Sequence, residues 1–128
     1  MIKTACASDF NKKKLGYVRP PTSGTLILIT RGRPYPWLDY NEWKQVLSPS
    51  RETKDRWLNS EKTERDWKRY EEEFLPRMKK REEIKAIEGL RLRAKKGEII
   101  TLLCYCKKGQ HCHRYIIKSL IEKHHKIK

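Results

Sequence analysis

Residues 99–106 read IITLLCYC, and residues 109–114 read GQHCHR. The first five are a continuous apolar run with one threonine, which is typical of a strand buried on both faces in a parallel sheet. A glycine-containing loop follows, and we predict that a last helix begins near Cys112 or His113. Its apolar face would consist of Ile116, Ile117, Leu120 and Ile121. A buried strand whose loop opens a helix is where α/β proteins bind ligands, so the segment from Cys104 to Arg114 is the candidate site.

Outward from this segment, the chain alternates short apolar runs with helical patterns. We predict a weaker strand at residues 2–7 and a second buried strand at residues 25–30, TLILIT. Helices are predicted at residues 39–46, from Ser48 (N-cap) and Pro49 to Leu58, from Ser60 with Trp67, Tyr70 and Phe74 on one face, and over residues 81–95 with Ile84, Ile87, Leu90 and Ala94 on one face. Pro76 marks the end of the third helix or the first turn of the fourth, and Gly97 terminates the fourth.

This order predicts an α/β fold, with a small, mostly parallel sheet of about three strands packed with several helices. The chain has 128 residues, which suits one domain with one modest core. We therefore expect a single domain over residues 1–128 with a basic tail at about 124–128.

The charge is strongly positive: 31 Lys and Arg against 16 Asp and Glu give a net charge of +15. A field of this size attracts polyanions, so nucleic acid or a phosphorylated ligand is the expected partner. The alternative is the surface of a heat-adapted protein, which carries many charges of both signs. That alternative accounts for the number of charges but not for the excess of positive ones.

Neither export nor membrane insertion is predicted. Residues 1–7 do not resemble the apolar core of a signal peptide, and the longest apolar runs are far shorter than the roughly 20 residues that span a bilayer. We therefore expect a cytoplasmic protein in a reducing environment. There, three cysteines within nine residues (Cys104, Cys106 and Cys112) suggest a metal or reactive thiols before a disulfide framework.

The leading hypothesis is an anion site at the start of the last helix, where free backbone N–H groups and the helix dipole favour a phosphate. Arg114 would clamp the anion, Cys112 and Cys104 would act as thiols, and His113 would orient or transfer a proton. Further ligand contacts are predicted for Arg31, Arg33, Lys107, Lys108, Gln110 and His111. Whether such a site is catalytic stays open at this stage.

Four alternatives remain. Cys104, Cys106 and Cys112, together with His113 or His111, could bind zinc. Cys104 or Cys106 could instead form a disulfide with Cys112, and Cys104 alone could be an ordinary buried thiol. A non-catalytic protein that binds nucleic acid through its basic surface is the remaining function class. The loop over residues 31–37 could then contribute, because an exposed aromatic ring beside two arginines can contact a nucleotide.

Several stretches together resemble the domain of unknown function 488 family, in particular its short archaeal and bacterial branch. They are residues 26–31 with Pro34, residues 47–52 with Trp57, the helix around Trp67 and Tyr70, and, most specifically, residues 101–106 followed by Cys112-His113-Arg114. The resemblance covers roughly residues 2–122 and implies a compact α/β fold in an intracellular protein. It implies no established activity. At residues 32–35 the chain has GRPY where the family usually has Trp-Pro-Arg-Gly, and many branches have Asn-His-Ala in place of the cysteine motif.

Overall fold

A computed structural model describes residues 1–107 and 109–122. Its four strands are β1 (Ile2–Cys6), β2 (Thr25–Leu28), β3 (Glu42–Trp43) and β4 (Ile100–Cys104). Its four α-helices are α1 (Arg51–Leu58), α2 (Glu64–Arg77), α3 (Arg81–Lys95) and α4 (His113–Ile121). The predicted α/β class is therefore confirmed, and the predicted tail lies outside the described residues.

The four strands form one sheet in the order β1-β4-β2-β3, and every neighbouring pair is parallel. The last strand in the chain, β4, therefore lies between β1 and β2, and all five of its residues are buried. Because the strands are parallel, their carboxyl ends meet at one edge of the sheet. That edge carries Cys104 at the end of β4, and residues 29–31 directly after β2.

Side chains alternate between two cores on the two faces of the sheet. One face packs against the helices and contains Ile27 and Ile29 of the β2 segment together with Phe74 and Ile117. The opposite face contains Leu26, Leu28 and Leu103, bordered by the rings of Tyr17, Trp37, Trp43 and Tyr105. The helices thus cover one face, and loops with aromatic side chains cover the other.

Three of the local predictions are wrong. The predicted helix at residues 39–46 contains β3 instead, because Asn41 and Lys44 donate backbone hydrogen bonds to Leu26 and Leu28. Pairing with the edge of β2 overrides the local helical pattern, and it makes the sheet one strand wider than predicted.

The other two errors concern helix starts. Ser48 is buried and donates to the Gln45 carbonyl, so Ser50 rather than Ser48 caps α1, by accepting the Thr53 N–H. Ser60 donates to the Trp57 carbonyl, and α2 is capped instead by Thr63 in a reciprocal pair with Asp66.

The predicted bounds of α3 and the start of α4 are confirmed. Pro76 lies in the last turn of α2, one residue before its end, and Gly97 follows α3 with φ of 97°. Of the predicted apolar face of α3, Ile87 and Leu90 are buried, whereas Ile84 is exposed. Within the described ranges, no helix is both long enough and apolar enough to cross a bilayer.

Candidate metal centre

Three thiols converge where β4 ends and α4 begins. Cys104 is the last residue of β4, Cys106 lies in the loop, and Cys112 directly precedes α4. Their Sγ atoms all lie within 4.8 Å of one another, and those of Cys104 and Cys106 are 3.7 Å apart. Tyr105, between the first two cysteines, instead borders the core on the opposite face of the sheet, as the two-residue period of an extended chain requires. Such a cluster of thiols could hold a metal ion.

His113 places a ring nitrogen next to this cluster. Its Nε2 lies 2.7 Å from the carbonyl oxygen of Ile29, and a carbonyl can only accept, so Nε2 carries the proton. The other ring nitrogen, Nδ1, is then an unprotonated acceptor, 3.7 Å from Cys112 Sγ and 4.0 Å from Cys104 Sγ. Burial also lowers the pKa of His113, which keeps the ring neutral. The ring therefore points a free lone pair toward two of the three sulfurs.

Arg114 does not face solvent as predicted: the residue is only 1% exposed. Its Nη1 donates to the Cys106 carbonyl at 2.9 Å, and its Nη2 donates to the Lys107 carbonyl at 3.4 Å and to the Tyr115 hydroxyl at 3.1 Å. Its Nε is buried without a partner among the described residues. The guanidinium thus fastens the loop to α4 from inside, and this geometry does not favour the predicted solvent-facing anion clamp.

The thiols and the guanidinium influence each other electrostatically. Hydrogen bonds from the Cys106 and Cys112 thiols lower the pKa of Cys104, and the positive charge of Arg114 lowers it further. The same sharing raises the pKa of Cys106 and of Cys112. All four cysteines of the chain are free thiols, so the structure contains no disulfide to Cys112. The shared hydrogen bonds and the nearby guanidinium thus favour a thiolate within the cluster.

Other predicted ligand residues lie in the loop but are occupied or turned elsewhere. The His111 ring stacks on Trp67 with centroids 4.7 Å apart, and its Nε2 lies 2.8 Å from a Glu64 carboxylate oxygen. Gln110 is exposed and accepts a hydrogen bond from the Lys107 backbone. Of the two histidines weighed as a metal ligand, His113 is therefore the one next to the sulfurs, and Lys108 lies outside the described residues.

Arg31 and Arg33 lie in the loop after β2, at the same edge of the sheet as the end of β4. Tyr35, Trp37 and Tyr105 form an aromatic cluster there, in which the Tyr35 backbone N–H donates to the Tyr105 hydroxyl at 3.3 Å. Arg31 is half-buried and Arg33 exposed. This loop therefore contacts the cysteine segment, since Tyr105 lies between Cys104 and Cys106 in the sequence.

The sequence interpretation missed two participants in this region. The carbonyl of Ile29 fixes the tautomer of His113 from 84 positions away, and no local pattern marks a backbone acceptor at that distance. No role was predicted for Tyr105. Its position in a C-Y-C alternation was the signal that it would join the aromatic cluster on the other face.

A family model described as the active DUF488-N3 subclade matches residues 11–125 of the chain. No curated protein and no solved structure shows significant similarity.

Proposed function

The chain belongs to the active DUF488-N3 subclade, and we propose that within this family it is a zinc-binding domain whose ligands are Cys104, Cys106, Cys112 and Nδ1 of His113. The observation that carries the proposal is the convergence of three Sγ atoms within 4.8 Å of one another. Among the described residues, His113 directs its unprotonated nitrogen at two of them.

The donor types and distances suit zinc. Thiolate and imidazole are the ligands of structural zinc, with Zn–S bonds of about 2.3 Å, so two sulfurs on a tetrahedral ion lie about 3.8 Å apart. The 3.7 Å between the Sγ atoms of Cys104 and Cys106 matches that edge. The hydrogen bond from His113 Nε2 to a carbonyl is the support that ligating histidines usually have, because it fixes both tautomer and ring orientation.

Charge balance supports the same assignment and accounts for the burial of Arg114. Three thiolates, a neutral imidazole and Zn²⁺ carry one net negative charge. Among the described residues Arg114 has no carboxylate partner within 4 Å, although a buried cation is costly without a counter-charge. The thiolate centre is that counter-charge, and the guanidinium in turn favours deprotonated sulfur.

Four protein ligands leave no open coordination position, which is the pattern of structural rather than catalytic zinc. The ion would join the end of β4, the loop and the start of α4. That junction also positions Tyr105, which lies between two of the ligands. We therefore propose that the metal stabilises the carboxyl edge of the sheet.

Metal content tests the proposal. The protein is expressed and purified without chelator, and zinc is measured by mass spectrometry against protein concentration. We expect about one equivalent per chain, because structural zinc binds tightly. The half-buried Cys106 is the least disruptive ligand to replace, and Cys106→Ser should lose most of the zinc. Cys6→Ser is the matched control: Cys6 is a buried thiol on the neighbouring strand, bonded to Ser8, and lies outside the cluster.

X-ray absorption at the zinc edge tests the fourth ligand. We expect three sulfurs at about 2.3 Å and one nitrogen at about 2.0 Å with the outer-shell signature of imidazole.

A value under about 0.2 equivalents of zinc in the unsubstituted protein would contradict the proposal. So would equal zinc content in Cys106→Ser and the unsubstituted protein.

A further inference from the structure

The aromatic cluster of Tyr35, Trp37 and Tyr105 is a surface that the metal centre does not use. Tyr35 and Trp37 stack with centroids 5.6 Å apart and planes 8° apart. Tyr105 packs edge-on against both, at 5.1 Å and 6.1 Å. Tyr35 is 54% exposed, and the other two rings are half-buried. Three rings therefore hold one another in place at the surface.

The backbone around this cluster is fixed before any ligand arrives. Trp43 and Gln45 donate side-chain hydrogen bonds to the carbonyls of Thr30 and Arg31, at 2.8 Å and 2.7 Å. The Trp37 carbonyl accepts the Lys12 N–H at 2.7 Å. Prolines also stand on both sides of Tyr35 in the sequence, which restricts the backbone there. A preorganised surface loses little conformational entropy when it binds.

Unpaired positive charges flank the rings in the sequence: Arg31 and Arg33 precede Tyr35, and Lys107 follows Tyr105. Arg31, Arg33 and Lys107 form no ion pair among the described residues, whereas Arg56 and Arg93 on the helices are bonded to glutamates. Residues 1–41 contain seven Lys or Arg and only two acidic residues. One of these, Asp39, is bonded to Arg19. Of the seven cations in residues 1–41, Arg19 alone forms an ion pair among the described residues.

We propose that the aromatic cluster, with Arg31 and Arg33, binds single-stranded nucleic acid. Exposed rings stack on unpaired bases of any sequence, and adjacent cations follow the phosphates. A duplex keeps its bases stacked inside, so it offers these rings no base face. The proposal does not rest on zinc at the thiols, because the Cys104 side chain alternates with Leu103 and points to the helix-covered face of the sheet, whereas Tyr105 borders the core on the opposite face.

The test measures fluorescence anisotropy of labelled oligothymidylate and of a duplex of equal length, over a series of salt concentrations. Tyr35→Leu keeps an apolar side chain of similar burial but removes the ring. Stacking of one base on an aromatic ring contributes about 1–3 kcal/mol. We therefore expect this variant to bind the single strand at least about fivefold more weakly. Tyr35 is exposed, so the variant should fold, and its thermal midpoint is measured alongside.

The cations are tested by the double variant Arg31→Gln/Arg33→Gln. Loss of two phosphate contacts should reduce the slope of log affinity against log salt by about 1.4 for a single strand. The matched control is Arg81→Gln/Lys85→Gln, which removes the same charge from exposed positions on α3, on the helix-covered side of the sheet. We expect the control to leave the slope unchanged.

Three results would overturn the proposal. The first is unchanged affinity in Tyr35→Leu, and the second is an equal effect of the two double variants, which would mean that binding depends on net charge alone. The third is a ligand preference other than the expected one: equal affinity for the duplex and the single strand, or binding to vesicles with anionic lipid but to neither nucleic acid.

Discussion

Replacing Arg114 by methionine tests whether the buried guanidinium holds the loop to α4. Methionine has similar length and no charge, so it removes the hydrogen bonds to the carbonyls of Cys106 and Lys107 and to the Tyr115 hydroxyl. A hydrogen bond from a charged donor contributes about 1.5–3 kcal/mol, and a buried acceptor left without its donor adds to the loss. One of the three bonds is long, at 3.4 Å, so we expect a total loss of about 4 kcal/mol in the free energy of unfolding.

For a chain of 128 residues, that loss corresponds to a decrease in Tm of about 15 °C. Calorimetry measures Tm, and urea unfolding followed by tryptophan fluorescence should show a lower midpoint with an unchanged m-value. The matched control is Arg51→Met on α1, where the side chain is 80% exposed and 3.9 Å from Asp55. An exposed pair of this kind contributes little, so the control should shift Tm by less than about 2 °C.

Arg114→Lys separates the hydrogen bonds from the charge. Lysine keeps the positive charge near the thiols but cannot reproduce the planar fork that bonds two carbonyls. We expect Arg114→Lys to lose most of the stabilisation that the Arg114 hydrogen bonds provide, while its zinc affinity stays unchanged. Arg114→Met should in addition weaken zinc binding by about 10- to 100-fold, as the loss of outer-shell partners does. If Arg114→Met lowered Tm by no more than the Arg51 control, the inferred role of the guanidinium would be refuted.

Three further predictions concern stability and metal binding. Gly24 has φ of 65°, and an added Cβ would lie 2.1 Å from the Ile99 carbonyl oxygen; Gly24→Ala should therefore lower Tm by more than about 8 °C. Gly16→Ala shares the positive φ but meets nothing within 4 Å, and should lower Tm by less than about half as much. Hydrogen bonds from Arg93 and then Thr25 lower the pKa of Glu98 from 4.5 to about 2, so its contribution is present above pH 4.5 and is lost as pH falls toward 2. Glu98→Gln should accordingly lower the free energy of unfolding, measured with urea at pH 7, by about 1 kcal/mol after allowance for the partial exposure of this side chain. The difference in stability between the variant and the unsubstituted protein should vanish near pH 2. Finally, one thiol of the cluster has a lowered pKa and two have raised pKa values. The two thiols with raised pKa values lose their protons when zinc binds, so zinc added to metal-free protein at pH 7 should release about two protons. The release is measured with an indicator dye in weak buffer.

Each of these predictions has a result that would contradict it. Equal melting temperatures for the two glycine variants would mean that the close approach to Ile99 does not constrain the backbone. A Glu98→Gln difference that persisted at pH 2 would show that the carboxylate charge is not what stabilises the native state. Release of about three protons would show that no thiol is ionised before the metal binds.

The sequence alone determined the parts of the fold that depend on local pattern. Continuous apolar runs marked β2 and β4, because buried parallel strands need no polar face, and a weaker pattern marked β1. The 3.6-residue repeat marked α3 and α4. The two-residue period of a strand placed Cys104 and Cys106 on one side and Tyr105 on the other, and the family was evident from the same motif.

Tertiary structure decided what depends on partners distant in the chain. β3 is only two residues long, and it forms because its backbone pairs with the free edge of β2. Its local sequence favoured a helix, so the strand could not be predicted from it. The burial of Arg114 had no local signal, since an arginine beside a helix start usually faces water. His113 is oriented by the carbonyl of Ile29, 84 positions away. Packing between segments decides which histidine approaches the thiols and whether the guanidinium faces solvent or the protein interior. The pattern of neighbouring residues in the sequence does not encode either outcome.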